Sequence, residues 1–193
     1  MTQIVKVGHF YLATLGHYHV AATKIAQTKG HLTEADLKNV EKFLSLAGRH
    51  LPSIKMEFMH GHFTYNDIFK LSEKEYVLMS NLFWSYRPKF YDTTFHLWAG
   101  IKSLCDQSVT VEQVKEYLQN WLEEYKKLPV VMQDADFERK FDIMMAERCV
   151  GALLVDIQNQ HYKNDQSNFI AHLTEMFRNL FKHFADKLEK NKN

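Results

Sequence analysis

Glycine, proline and cysteine are all scarce in this chain, at 7, 3 and 2 of 193 residues. Few glycines and prolines mean few forced turns, so long regular elements are not interrupted. Two cysteines, Cys105 and Cys149, cannot form a disulfide framework in a chain this long. Both stand in apolar helical contexts and read as buried thiols, which points to a cytoplasmic location. There is no run of about 18 apolar residues, so no membrane span and no membrane partner is expected. The apolar start, from Met1 to Val20, is broken by His9, His17 and His19 and reads as a core helix rather than a leader. Charge of one sign is missing as well. Lys plus Arg number 24 and Asp plus Glu 23, a net charge of +1. A nucleic-acid surface spread over the whole molecule needs a clearer basic excess.

What is present is histidine and helical periodicity. Seven of the 11 histidines fall in residues 1–62, and that third is mildly basic, with 7 Lys plus Arg against 4 Asp plus Glu. It becomes more basic on acidification. Apolar spacing is helical almost throughout. Residues 3–28 show a 3-4 pattern that Lys29-Gly30 ends. Thr33-Glu34-Ala35-Asp36, Ser72-Glu73-Lys74-Glu75 and Thr110-Val111-Glu112-Gln113 each read as a capping box opening a helix. The second should run through Tyr76, Met79 and Phe83 to Tyr86 and stop at Arg87-Pro88. Further helices are predicted near 93–105, over 135–160 and over 167–189. Strand-like alternation is absent. The expected fold is all-α, a single compact bundle of six to seven helices over residues 1–190, with a disordered polar tail at 191–193.

Three sets of residues carry candidate chemistry. The first is Arg178-Asn179-Leu180-Phe181-Lys182-His183. It resembles the Arg-Asn-x-x-x-His motif of HEPN-domain ribonucleases, helical proteins of toxin–antitoxin and anti-phage systems. The resemblance implies metal-independent RNA cleavage in a homodimer joined through the last helix, with Arg178, Asn179 and His183 catalytic. An imidazole moves the ribose 2′-hydroxyl proton and a guanidinium steadies charge on the phosphate. Positions i and i+5 lie about 140° apart on a helix. Arg178 and His183 therefore flank the apolar stripe of Phe177 and Phe184, and serve equally as polar margins of a core-facing helix.

The second set is Glu57, His60 and His62. Glu57-x-x-His60 has the spacing of a carboxylate-bundle ligand pair, but no second such pair occurs in the chain. A single metal site would need a turn at Gly61 to bring His60 and His62 together. The third set lies in the aromatic stretch 83–98, where Trp84, Arg87, Tyr91 and His96 suit a partner surface and also suit a core with an ordered connection around Pro88. Trp84, Arg87 and Tyr91 cannot all face one core, so some of them should be exposed. Segment 106–148, with 10 acidic against 6 basic residues, is either a solvated face or an acidic docking surface.

No phosphate-binding glycine loop, nucleophile elbow or Cys-x-x-Cys occurs, so no cofactor is expected. Three functions follow from these sets. The leading one is a non-enzymatic helical module that binds another protein, as an immunity or antitoxin protein does. The others are a HEPN-like endoribonuclease with RNA as partner, and a His-based metal-binding protein.

Overall fold

The structure is a computed structural model, and it describes residues 19–24, 27, 32–79, 83–104, 108–157 and 167–190. Residues 19–24 are helical. Helix α1 covers Glu34–His50 and is followed by a 3₁₀ turn at Leu51–Ser53. Four short strands come next: β1 Met56–Met59, β2 Ile68–Lys70, β3 Tyr76–Leu78 and β4 Ser85–Pro88. The remaining elements are helical: α2 Tyr91–Leu104, α3 Val111–Tyr125, α4 Pro129–Met132, α5 Phe137–Gly151 and α6 Ser167–Lys190. A π-helical turn at Ala152–Asp156 continues α5.

The molecule is mostly helical but not all-α. Two small antiparallel sheets, β1 with β4 and β2 with β3, replace the helix predicted over 72–86. The reason is local. Ser72 to Glu75 turn instead of capping, with the Leu71 amide donating to the Glu75 carbonyl at 2.9 Å and the Ser72 hydroxyl accepting from the Lys74 amide at 3.4 Å. A Ser that caps a helix and a Ser that closes a turn use the same side-chain chemistry. Tyr76 and Val77 on one side, and Ile68 and Phe69 on the other, are strand formers that pair across the turn. Pro88 does not stop a helix. It ends a strand opposite Met56.

The other two capping boxes form as predicted. Thr33 accepts from the Asp36 amide and Asp36 accepts from the Thr33 amide, and Thr110 and Gln113 do the same at α3. The helices predicted near 93–105 and over 167–189 correspond to α2 and α6. The predicted 135–160 element is α5 with its π turn as far as Ile157, and the rest lies outside the described residues. So do most of the predicted 3–28 helix and the 191–193 tail.

Helix α5 is the centre. It is buried on nearly every side, with Phe141, Ile143, Met145, Ala146, Cys149 and Val150 wholly inaccessible. α6 lays Ile170, Leu173, Phe177, Leu180, Phe181, Phe184 and Leu188 against it, and α1 and α2 close the other sides. The 3-4 stripe seen in the α6 sequence is thus spent inside the molecule. The residues of this stripe are covered by the chain's own core.

A helix buried on all sides must satisfy any charge it carries. Lys140 donates to both oxygens of Asp134, at 2.7 and 2.8 Å. Glu147 holds the neighbouring Arg148 guanidinium through two oxygens. Asp142 accepts from Lys187 at 2.8 Å through one oxygen, while the other has no hydrogen-bond partner among the described residues. Burial outweighs Lys187 and pushes the Asp142 carboxyl up to about 6. The Cys149 thiol is buried and its pKa is driven far up, so it is inert at neutral pH. Cys105 lies outside the described residues.

Candidate functional site

The residues nominated from the sequence separate into two places. Arg178, Asn179 and His183 lie on α6, and the other seven cluster around the β1–β4 sheet and the start of α2.

On α6, Arg178 is occupied. Its Nε and Nη2 donate to the two oxygens of Asp36 at 2.8 and 2.7 Å, and Nη1 lies 3.7 Å from Glu175. Burial pushes the Asp36 carboxyl up, but Arg178 and Thr33 outweigh it and hold it below its ordinary value. One carboxylate therefore caps α1 and ties α6 to it. Asn179 donates its side-chain amide to the Glu175 carbonyl and carboxylate at 2.9 and 2.8 Å. His183 is half-buried, edge-on to Phe184, and its pKa is lowered chiefly by burial. The three share a helix, and Arg178 and Asn179 share Glu175 as a neighbour, while His183 packs apart from them against Phe184.

The seven remaining residues surround a small sheet that projects from the core. In β1, Met56 is buried opposite Pro88, while Phe58, two residues on, faces outward opposite Tyr86. Side chains two apart share a strand face, so one face of this ribbon runs from core to solvent. Trp84 stacks on Phe58 at 5.6 Å and Tyr86 meets Phe58 edge-on at 5.6 Å. Phe58, Trp84 and Tyr86 are 60%, 38% and 56% exposed.

A clasp fixes this sheet. Asp92, in the first turn of α2, accepts from the His60 and Gly61 amides, both at 2.8 Å. Buried His60 donates its Nε2–H to the Met79 carbonyl at 2.8 Å, tying β1 to the residue after β3. Its ring also packs edge-on against Trp84 and Phe63. Gly61 turns the chain at φ +77°, and a Cβ there would sit 2.4 Å from the Phe83 carbonyl oxygen. Only glycine meets both demands.

The Gly61 turn required for a metal site is therefore real, but it does not gather ligands. His60 points to Met79, His62 stacks on Phe83 and meets Phe95 at a tilt, and Glu57 pairs with Lys55 at 3.0 Å. Among the described residues no three His, Cys, Asp or Glu side chains are placed to hold a metal ion. Glu57, His60 and His62 are engaged separately, by an ion pair, a hydrogen bond and ring packing.

The partner-surface set divides as its own geometry required. Trp84 is outside. Tyr91 is buried, its hydroxyl pKa raised by that burial, so it is not available to a partner. Arg87 lies half-buried over the Tyr91 ring at 4.9 Å. His96 is half-buried against Phe63, its Nδ1 has no hydrogen-bond partner among the described residues, and burial lowers its pKa. Cross-strand pairing places Glu57 opposite Arg87, so two sets nominated separately occupy one structure.

The β2–β3 hairpin was not legible as a site. Every residue of both strands is exposed. Ile68 and Leu78 project to one face and Phe69 and Val77 to the other, each 40–50% exposed. Leu71 in the turn reaches 62%. Of the seventeen large hydrophobic side chains exposed among the described residues, twelve lie between Phe58 and Tyr86.

No family model, no curated protein and no solved structure matches the chain. Among the described residues, no helix is long and apolar enough to cross a membrane.

Proposed function

We propose that the chain is a non-enzymatic interaction module, in which the helical core carries a contact surface made by residues 58–86. The observation that supports this reading is the concentration of exposed apolar side chains in that one segment. Scattered surface hydrophobics are ordinary, whereas a contiguous exposed group marks an interaction site. The segment is not a loosely held loop. The Asp92–His60–Met79 clasp gives it a fixed backbone, and a preorganised surface loses less entropy on binding. Trp, Tyr and Phe are the side chains that dominate contact energies.

The engagement of Arg178 with Asp36 supports a structural role for that residue over a catalytic one. The test places a photo-crosslinking residue at Tyr86, with Tyr117 on α3 as an exposed control, in the native cell. A protein adduct at position 86 and none at 117 is the expected result. The reading is overturned if position 86 gives no adduct or crosslinks to RNA. RNA cleavage abolished by His183→Ala would instead establish the ribonuclease reading.

A further inference from the structure

The β2–β3 hairpin, residues 64–79, stands out from the helical core, and both of its strands are exposed along their whole length. A two-stranded hairpin is marginal in water on its own, so its hold on the core matters most at its two ends. Both ends are moored on imidazoles. At the far end the Met79 carbonyl accepts the His60 Nε2–H at 2.8 Å. At the near end Phe63, the residue before the hairpin, lies between two rings. His60 meets it edge-on at 5.9 Å, and His96 of α2 meets it at a tilt at 5.5 Å.

The two moorings respond differently to a proton. His60 keeps its Nε2–H whether neutral or charged, so the bond to Met79 survives. His96 has a buried Nδ1 with no hydrogen-bond partner among the described residues. An imidazolium carries an N–H on both nitrogens, so protonation leaves a charged donor buried beside Phe63 without an acceptor. The nearby carboxylates are already engaged. Asp92, one turn back on α2, accepts from the His60 and Gly61 amides, and Asp67 accepts from Thr64. His62, the other titratable group of this connection, is exposed and lies against Phe83 and Phe95. Burial is the one cause acting on the His96 pKa, and it lowers it.

We propose that His96 is an acid-operated latch: the neutral ring holds Phe63 and the root of the hairpin on α2, and the protonated ring lets them go. The latched state binds this proton less tightly than the released state. Its hold is therefore full above the ordinary value of 6.5 and weakens as pH falls through it. As a control on binding, the latch rests on the reading of residues 58–86 as the contact surface; its movement is measured on the chain alone, so either can fail without the other.

Amide exchange on the purified chain at about pH 7.5 and about pH 5.5, corrected for the chemical exchange rate, is the test. Opening of residues 62–79 should rise at least about threefold at the lower pH relative to α5, the factor that half a pKa unit supplies. In His96→Gln, which is uncharged at both values, the rise should vanish, and in His62→Gln it should persist. A second measurement needs no variant. In the wild type the ring protons of His96 and Phe63 should shift together in an NMR titration, with one midpoint below 6.5. The latch is overturned by a wild type with no rise, by a rise that persists in His96→Gln or is lost in His62→Gln, or by a Phe63 ring that does not move while His96 titrates. Acid-driven opening with no protein adduct at Tyr86 overturns only the use of the latch in binding. An adduct at Tyr86 without acid-driven opening overturns only the latch.

Discussion

Helices α5 and α6 and the segment from β1 to β4 are about equally rich in aromatic and aliphatic residues, yet they use them in opposite ways. α6 places its apolar residues at 3-4 spacing, so they share one stripe, and that stripe disappears against α5. The β segment places Phe58, Ile68, Phe69, Tyr76, Val77 and Tyr86 in two-stranded ribbons. A ribbon without a sheet or helix on each face leaves at least one face open. Hydrophobic content alone does not say whether a segment is core or contact surface. The number of layers the local structure can cover does.

The largest effects should separate these regions. Phe177 is wholly buried between α6 and its neighbours. Phe177→Ala should cost about 3–5 kcal/mol in urea unfolding, through lost burial and the cavity left behind. Phe58→Ala should cost the isolated chain only about 0.5–1.5 kcal/mol, the worth of its ring contacts with Trp84 and Tyr86, because most of its side chain is already in water. Equal losses would mean that Phe58 is part of the core.

Next in size is the pH dependence of the core. Burial pushes the Asp142 carboxyl up to about 6 from its ordinary value of 3.8. The folded state therefore holds this proton more tightly than the unfolded state. The resulting stability is fully present below about pH 4 and is lost as pH rises through about 6. The loss is at most about 3 kcal/mol, from one pKa unit being worth about 1.4 kcal/mol. Asp36, Asp134, Glu138 and Glu147 are shifted the other way. The comparison must therefore be wild type against Asp142→Asn, with stability measured from pH 4 to pH 8. The variant should gain on the wild type across that window.

Arg178→Ala should cost about 1–3 kcal/mol, because it strips a buried carboxylate of two charge-assisted bonds while Thr33 still donates to it. A double-mutant cycle with Asp36→Asn measures the coupling, which should exceed about 1 kcal/mol. Gly61→Ala should cost at least about 1–3 kcal/mol from a strained left-handed residue, because the Phe83 carbonyl oxygen 2.4 Å from the new Cβ must also move. Its local effect should be plain: faster amide exchange in β1 to β4, with α5 and α6 unchanged.

Much of the helical scaffold was legible because each signal had one physical meaning. Thr33 and Thr110 cap because a 3-4 apolar stripe follows each of them, and the α6 stripe has nowhere to go but inward. The β segment was illegible for a matching reason. Ser72-Glu73-Lys74-Glu75 has the side chains of a capping box, but the strand formers on both sides of it decide the outcome, and two strands of three residues are too short to show alternation. The site was half legible. The aromatic density at 83–98 and the need for a turn at Gly61 could both be read from the sequence. The pairing of Glu57 with Arg87, and the reach of Asp92 back to His60, depend on contacts across about 30 residues, which periodicity does not encode.

Oxidative footprinting of Phe58, Trp84 and Tyr86 in the native assembly and in dilute purified chain tests the central claim most directly. A contact surface at 58–86 predicts strong protection of all three in the assembly and little in the dilute chain, with Tyr117 on α3 oxidised equally in both. Equal oxidation of Phe58, Trp84 and Tyr86 in the two samples would contradict it.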